Sequence, residues 1–258
     1  MQIEFSKYHG TGNDFVIIDN RAGNIQLTKE QVHFICDRHF GIGADGLMLL
    51  GLKEGYDFEM TYFNADGALG SMCGNGGRCL TKFAYDCGIH KDQYHFIASD
   101  GPHEANFGRH QWIHLKMKDV NQIQTNHNAS ILDTGSPHYI KEVQNLAELN
   151  VFEEGRSIRY SSQFKEKGIN VNFVEVNAQN IQVRTYERGV EDETFSCGTG
   201  VTAAALVFAH NENGFNRVEV STKGGQLAVE FEKTGDTTFE NIWLCGPAQF
   251  VFKGTIDC

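Results

Sequence analysis

Cys197-Gly198-Thr199-Gly200-Val201-Thr202-Ala203-Ala204-Ala205-Leu206-Val207-Phe208-Ala209 is the stretch that decides the fold. From Gly198 to about His210 it reads as a helix that is apolar on nearly every side. Such a helix must be enclosed by other parts of the protein. Its longest mostly apolar run, Val201 to Ala209, is far short of the ~20 residues that a membrane helix needs. The rest of the chain supplies the enclosure, because strand-like segments dominate it. They are Gln2–His9, Phe15–Asp19, Leu47–Leu50, Asp57–Phe63, Tyr94–Ala98, Trp112–Met117, Ile169–Val176, Ile181–Tyr186, Arg217–Thr222, Gln226–Phe231, Ile242–Leu244 and Gln249–Gly254. Many alternate apolar with polar residues, as in Val218-Glu219-Val220-Ser221, the pattern of a half-buried antiparallel strand. Strands come in clusters with few helices between them, so the class is α+β, with a sheet curled around the apolar helix.

A second copy of the same pattern lies about half a chain earlier. Cys73-Gly74-Asn75-Gly76 opens a helix over about Gly76–Cys87 that contains Phe83-Ala84. Cys197-Gly198-Thr199-Gly200 opens one that contains Phe208-Ala209, 124 positions on. Thr11-Gly12-Asn13, followed by Phe15-Val16, has its counterpart in Thr134-Gly135-Ser136, followed by His138-Tyr139, 123 positions on. Two motif pairs at nearly one offset predict two similar domains. We expect residues 1–118, with the last strand (about 247–258) returning to them, and residues 119–246. The join falls near the polar stretch Lys118–Asn128. A third helix is expected from the capping box Thr28-Lys29-Glu30-Gln31 to about Phe40.

Composition excludes several classes. The 258 residues carry 22 Lys and Arg against 33 Asp and Glu, a formal net charge of −11. An acidic chain lacks the broad positive field that nucleic acid or an anionic membrane selects, so neither is expected as a partner. Glycine is abundant at 28 residues and proline scarce at 3, which suits special backbone positions in an ordered fold. Seven cysteines with no C-x-x-C pair indicate neither a disulfide scaffold nor a zinc ribbon, so no metal is expected. The start, Met1 to Lys7, has no apolar signal core, and the expected location is the cytoplasm. Gly41-Ile42-Gly43-Ala44-Asp45-Gly46 fits a dinucleotide fingerprint by letter. A helix precedes it and a strand follows, the reverse of the order the fingerprint demands.

The two Cys-Gly-x-Gly motifs carry the chemistry. Glycines let a ligand approach bare backbone, and the first N–H groups of a helix have no partner inside it. With the positive end of the dipole behind them, they bind a carboxylate and favour a thiolate. Two such starts meeting at one cleft suit the removal of an α-proton from one face of a carboxylate substrate and its return on the other. No organic cofactor is then required. The ordinary reading is that each Cys is a small buried hydrophobe. It weakens when the motif occurs in both halves.

The same residues carry a resemblance. H-G-T-G-N-D-F-V-I-I-D (9–19), F-N-A-D-G (63–67), M-C-G-N-G-G-R-C (72–79), T-G-S-P-H (134–138), Y-E-R-G (186–189) and E-T-F-S-C-G-T-G (193–200) together resemble diaminopimelate epimerases, in that family's order. The resemblance implies cofactor-independent conversion of LL-2,6-diaminopimelate to the meso form, on the route to lysine and peptidoglycan. It implies two pseudo-symmetric domains, each a curled, mostly antiparallel sheet around a central helix, and a homodimer. Cys73 and Cys197 match the acid–base pair, and His138 and Glu187 match residues that adjust the thiols. Gly74, Asn75, Gly198 and Thr199 match the cradle of the reacting carboxylate. Asn13, Asn64, Asn170, Glu187 and Arg188 match positions around the rest of the substrate, Arg188 being suited to a bidentate bond with the distal carboxylate. Ser136 stands where many members have Asn.

Read without the resemblance, His138 is one of eleven histidines, Asn13, Asn64 and Asn170 are turn residues, and Glu187 with Arg188 is a surface pair. Cys36, Cys87, Cys245 and Cys258 are packing or terminal residues, Cys79 faces away from Cys73, and Asp14 is structural. A proline-racemase-like isomerase, a Cys–His hydrolase and a non-catalytic amino-acid-binding protein stay open on the residues alone.

Overall fold

The computed structural model describes residues 2–108, 111–126, 129–178, 180–209 and 212–257. The chain forms two compact units, residues 1–115 with 246–258, and residues 116–245.

In the first unit, strand β1 (Gln2–Gly10) pairs antiparallel with β2 (Asn13–Asp19). Helix α1 (Lys29–Cys36) then leads to β3 (Gly46–Gly51), which lies parallel to β2. Next, β4 (Phe58–Asn64) runs antiparallel to β3. Helix α2 (Gly74–Asp86) crosses to β5 (Gln93–Ala98), parallel to β4. Then β6 (Gly101–Phe107) and β7 (Ile113–Lys116) follow as antiparallel neighbours.

The second unit repeats this order step by step. After β8 (Gln124–Asn126), β9 (Ala129–Asp133) and β10 (Pro137–Glu142) are antiparallel. Helix α3 (Val151–Arg159) leads to β11 (Asn170–Val176), parallel to β10. Then β12 (Ile181–Glu187) turns back antiparallel and carries the short β13 (Asp192–Thr194) at its edge. Helix α4 (Gly198–Val207) crosses to β14 (Gly214–Thr222), parallel to β12. Antiparallel β15 (Gly225–Lys233) and β16 (Phe239–Gly246) complete it. The last strand, β17 (Gln249–Asp257), pairs with β1 in the first unit. Each unit is thus a mostly antiparallel curled sheet with two parallel steps, both at helical crossovers, as parallel pairing requires.

Burial alternation explains how the helices are held. Val16, Ile18, Leu47 and Leu49 pack with Val32 and Ile35 of α1. The intervening Phe15, Ile17 and Met48 face the other way, toward α2, where Met48 Sδ lies under Gly76. With both faces covered, β2 and β3 read as unbroken apolar runs. In the second unit Ile169, Val171 and Phe173 pack with Val151 of α3, and the alternate face meets α4. Helix α4 is enclosed by strands β9 to β12, β14 and β15, and Val201 to Leu206 are all buried, as its all-round apolar sequence demands.

Helix α1 begins as predicted, with Thr28 and Gln31 capping each other reciprocally. It stops at Cys36 rather than near Phe40. The Asp37 carboxylate accepts the N–H groups of His39 and Phe40, and Gly41, Ile42 and Gly43 return to the carbonyls of Asp37 and Ile35. Helix α2 starts two residues earlier than expected, at Gly74. Helix α4 ends at Val207, and the expected end at His210 lies outside the described residues, as do Asn128 and Cys258. Helix α3 has no counterpart among the predicted helices. Its inward face carries Gly155, whose place a side chain cannot take because a Cβ there would stand 2.3 Å from Tyr186 Cβ. Strands β6, β8, β9, β10 and β13 likewise have no predicted counterpart; β6 and β10 contain Pro102 and Pro137, and β8 and β13 are three residues each with no apolar side chain. Among the described residues, no helix is long and apolar enough to cross a membrane.

Candidate active site

Both motif cysteines are helix N-caps with extended backbone, Cys73 at φ −103°, ψ 131° and Cys197 at φ −110°, ψ 111°. The carbonyl of each accepts the first intrahelical bond, from Gly77 N and Val201 N. Neither side chain caps its helix. The N–H groups of Gly74, Asn75 and Gly76, and of Gly198, Thr199 and Gly200, therefore lie before the first helical hydrogen bond, at the positive end of the dipole.

In the first unit Cys73 Sγ lies 3.6 Å from Asn13 Oδ1, which also accepts Asn75 Nδ2 at 3.2 Å. Asn13 Nδ2 donates to Asp45 Oδ2 at 2.7 Å, and since a carboxylate only accepts, this contact sets the orientation of the amide. Asp45 also accepts Arg38 at 2.7 Å, and Arg38 grips Asp14 through both terminal nitrogens. Burial would raise the Asp14 carboxyl, but hydrogen bonds from Arg38 and Lys7 outweigh it and hold it at about 2. Asp14 is thus taken up by ion pairs with Lys7 and Arg38, and burial pushes the thiols of Cys79 and Cys36 up to about 12. Asn64 ends β4 on the exposed side, and among the described bonds none joins its side chain to Asn13 or Cys73.

Asn75 is held from behind by Arg78, a fully buried guanidinium that donates to Asn75 Oδ1 at 2.9 Å and to Gly74 O at 3.3 Å. Arg78 was not singled out from the sequence. Neither was Asp45, which sits inside the Gly41–Gly46 decoy. That decoy does lie between α1 and β3, the wrong order for a dinucleotide site.

In the second unit Cys197 Sγ is 3.5 Å from Thr199 Oγ1, and Thr199 Oγ1 is 2.9 Å from His138 Nε2. His138 is fully buried. Burial, then the nearby Arg188 charge, lowers its pKa to about 3, so the ring is neutral near pH 7. Its Nδ1 faces Asn172 Nδ2 at 3.0 Å. Asn170, two residues earlier on the same face of β11, donates to Ser136 Oγ at 3.0 Å and accepts Arg188 N at 2.9 Å. The Arg188 guanidinium touches two neutral oxygens, Lys167 O at 3.2 Å and Ser136 Oγ at 3.3 Å. Glu187 ends β12 and accepts Thr194 Oγ1 at 2.9 Å. Of the expected residues of this half, His138, Thr199 and Cys197 are thus linked in one chain at the start of α4, Asn170 and Arg188 are bonded to each other and to Ser136, and Glu187 is bonded to Thr194. Asn172 and Thr185 join the His138 network without having been foreseen, and Thr134, quoted in the repeated motif but given no role, donates to Thr199 O at 2.8 Å. The signal lay in the alternation Asn170-Val171-Asn172-Phe173, two amides on one face of a strand buried on both.

The fold is shared with solved proteins of low sequence identity. A phenazine biosynthesis protein of the PhzF family from Bacillus anthracis superposes with a TM-score of 0.81 at 15% identity, covering 100% of both chains. A hydroxyproline epimerase from Agrobacterium vitis, with bound trans-4-hydroxy-L-proline, gives 0.70 at 12% identity over 99% of this chain and 92% of that one. The diaminopimelate epimerase family model matches residues 5–121 and 130–251. Proteins named diaminopimelate epimerase are 46% identical in Flavobacterium psychrophilum, over 97% of this chain and 98% of the relative, and 45% identical in Chlorobaculum tepidum, over 96% and 98%. The chain is an isomerase of the racemase and epimerase class. Within that class it belongs to the diaminopimelate epimerase family.

Proposed function

We propose that this enzyme interconverts LL-2,6-diaminopimelate and its meso form without an organic cofactor, using Cys73 and Cys197 as paired acid–base thiols. The observation that carries the reading is the repetition of one device in both halves: a cysteine at the start of a helix whose first N–H groups lie before any helical hydrogen bond. One sulfur, as thiolate, takes the α-proton. The other, as thiol, delivers a proton to the opposite face of the same carbon, so the two sulfurs exchange protonation states in each turnover. Backbone N–H groups at Gly74, Asn75, Gly198 and Thr199 hold the α-carboxylate and the negative charge that develops beside it. His138 and Glu187 adjust the thiols, and Asn13, Asn64, Asn170 and Arg188 hold the remaining substrate groups. Family membership supports this assignment, as does the hydrogen bonding of Asn13 to Cys73 and Asn75.

Incubation with LL-diaminopimelate in deuterated water tests the proposal. Deuterium should enter the α-position as the meso form appears, and Cys73→Ala and Cys197→Ala should each abolish turnover. Normal epimerisation by either variant would end the two-thiol reading, and an accumulating acyl-enzyme would point to a hydrolase. The reading extends to a cytoplasmic homodimer. Its supports are the family, the six described cysteines present as thiols, and a run of half-exposed apolar residues, Phe250, Val251 and Phe252, on β17. Sedimentation of the purified protein at a single monomer mass would overturn the dimer.

A further inference from the structure

The two units share a fold but not the lining beneath their helix starts. Register matches His138 of β10 with Asn170 of β11, as it matches Phe15 of β2 with Gly46 of β3. It matches Asn172 of β11 with Thr185 of β12, as it matches Met48 of β3 with Tyr62 of β4. The equivalence is confirmed at the helices. A Cβ on Gly200 would meet Asn172 Oδ1, and a Cβ on Gly76 would meet Met48 Sδ. Where the first unit has Phe15, Met48 and Tyr62, with Phe15 and Tyr62 in edge contact, the second has His138, Asn172 and Thr185. The fold therefore does not require polar residues at these positions. Three of them buried together, at 0%, 0% and 3% exposure, carry a desolvation cost that the first unit avoids. What they gain must lie in what they hold.

The hydrogen bonds say what that is. Asn172 Nδ2 lies 3.3 Å from the carbonyl oxygen of Tyr139, which can only accept, while Asn172 Oδ1 accepts Thr185 Oγ1 at 2.9 Å. The amide orientation is thereby settled, and Nδ2 also donates to His138 Nδ1. A ring nitrogen that accepts carries no proton, so the proton of the neutral ring sits on Nε2 and is donated to Thr199 Oγ1. The Thr199 hydroxyl accepts that bond on one of its two lone pairs, and its own hydrogen is available for Cys197 Sγ at 3.5 Å. We propose that Asn172 is a positioning residue: it locks His138 as the Nε2–H tautomer and so makes Thr199 a hydrogen-bond donor to the Cys197 sulfur. A donor aimed at sulfur favours thiolate over thiol. Around Cys73 the corresponding contact is an amide oxygen, Asn13 Oδ1, which accepts from a thiol. The lock therefore makes the two sulfurs inequivalent before substrate arrives, with Cys197 the more readily ionised. Of the charged groups of this unit, Arg188 acts on the His138 ring through its charge, while its own backbone N–H is bonded to Asn170, and Glu187, beside it in the chain, accepts Thr194 Oγ1.

The inference rests on reading Cys197 as a catalytic sulfur, but its tests use the substrate-free enzyme. Nitrogen-15 NMR of histidine-labelled protein, with His138→Gln to identify the His138 signals, should show Nε2 protonated and Nδ1 unprotonated between pH 6 and 8. In Asn172→Leu that fixed assignment should be lost. In the same variant the midpoint of the pH–alkylation curve of Cys197 with iodoacetamide, read by peptide mapping, should rise by about one unit, roughly tenfold in thiolate fraction at pH 7. Cys73 in the same sample is the internal reference and should not move. Thr199→Val should reproduce the rise and Thr199→Ser should not. A proton on Nδ1 in the unmodified enzyme would overturn the proposal, as would an unmoved Cys197 curve in both Asn172→Leu and Thr199→Val. Should Asn172→Leu fail to fold, the unmodified spectrum and the Thr199 pair decide alone. Loss of epimerase activity with an unchanged tautomer would count against the lock, whereas a confirmed lock in an enzyme inactive on diaminopimelate would count against the proposed substrate only.

Discussion

Gly200 of helix α4 lies so close over Asn172 of strand β11 that a Cβ on the glycine would stand 2.2 Å from the Asn172 side-chain oxygen. That oxygen cannot move aside cheaply, because it accepts Thr185 while the amide nitrogen is bonded to His138 and the Tyr139 carbonyl. At the equivalent place in the first unit, a Cβ on Gly76 would meet the Met48 sulfur at 3.2 Å, the far end of a flexible apolar chain. Gly200→Ala should therefore cost about 1–3 kcal/mol in urea unfolding, as overpacked cores do, and Gly76→Ala distinctly less. Equal losses would show that the Asn172 network is softer than its bonding implies.

His138 makes stability depend on pH. Its pKa falls from an ordinary 6.5 to about 3 on folding, chiefly through burial. Between those values the unfolded chain binds the extra proton, so stability rises with pH across the window and is fully present above about 6.5. Below it, acidification costs on the order of 1.4 kcal/mol per pH unit from this group until about pH 3. His138→Phe, the residue its counterpart position already uses, should flatten the fall in Tm between pH 7 and pH 5. A variant that tracks the parent slope would place the acid sensitivity elsewhere.

Arg188 is held by its own N–H to Asn170 and by two neutral oxygens on its guanidinium, and among the described residues no ion pair neutralises it. A positive group so placed suits a carboxylate in bidentate contact. Arg188→Ala should lower kcat/KM for LL-diaminopimelate by roughly a hundredfold or more, and Arg188→Lys should recover only part of it. Alkylation of Cys73 should be untouched. Survival of activity within a few-fold would remove Arg188 from the distal clamp.

Asp45 acts on the first unit's thiol at one remove. Its carboxylate holds the Asn13 amide by Nδ2, which leaves Oδ1 aimed at Cys73 and Asn75. Asp45→Ala should reduce kcat/KM about tenfold, with little loss of stability because the pair is exposed and surface ion pairs contribute at most about 1 kcal/mol. An unfolding curve displaced as far as the rate would make Asp45 a residue of the fold instead.

Much of this was legible in the residues themselves because it follows from local rules. The capping box at Thr28 and Gln31 needs four consecutive positions, and it starts α1 where expected. The enclosure of α4 follows from its having no polar side, and the doubling of the chain follows from two motif pairs at one offset. The two helix starts, and the chemistry that their first N–H groups can do, are likewise a matter of adjacent residues.

The remainder depends on residues that meet across strands. Gly155 breaks the pattern of α3 because Tyr186, far along the chain, fills its space. Asp45 belongs with Asn13 because β2 and β3 run parallel with Phe15 opposite Gly46. Asn172 looked like one more strand residue until its register placed it against Thr185, its side chain beside His138, and its oxygen under Gly200. Sequence spacing carries helical neighbours three and four apart, but the direction of a buried amide, and hence where a proton sits on a histidine, is set by carbonyls and hydroxyls brought in from other strands.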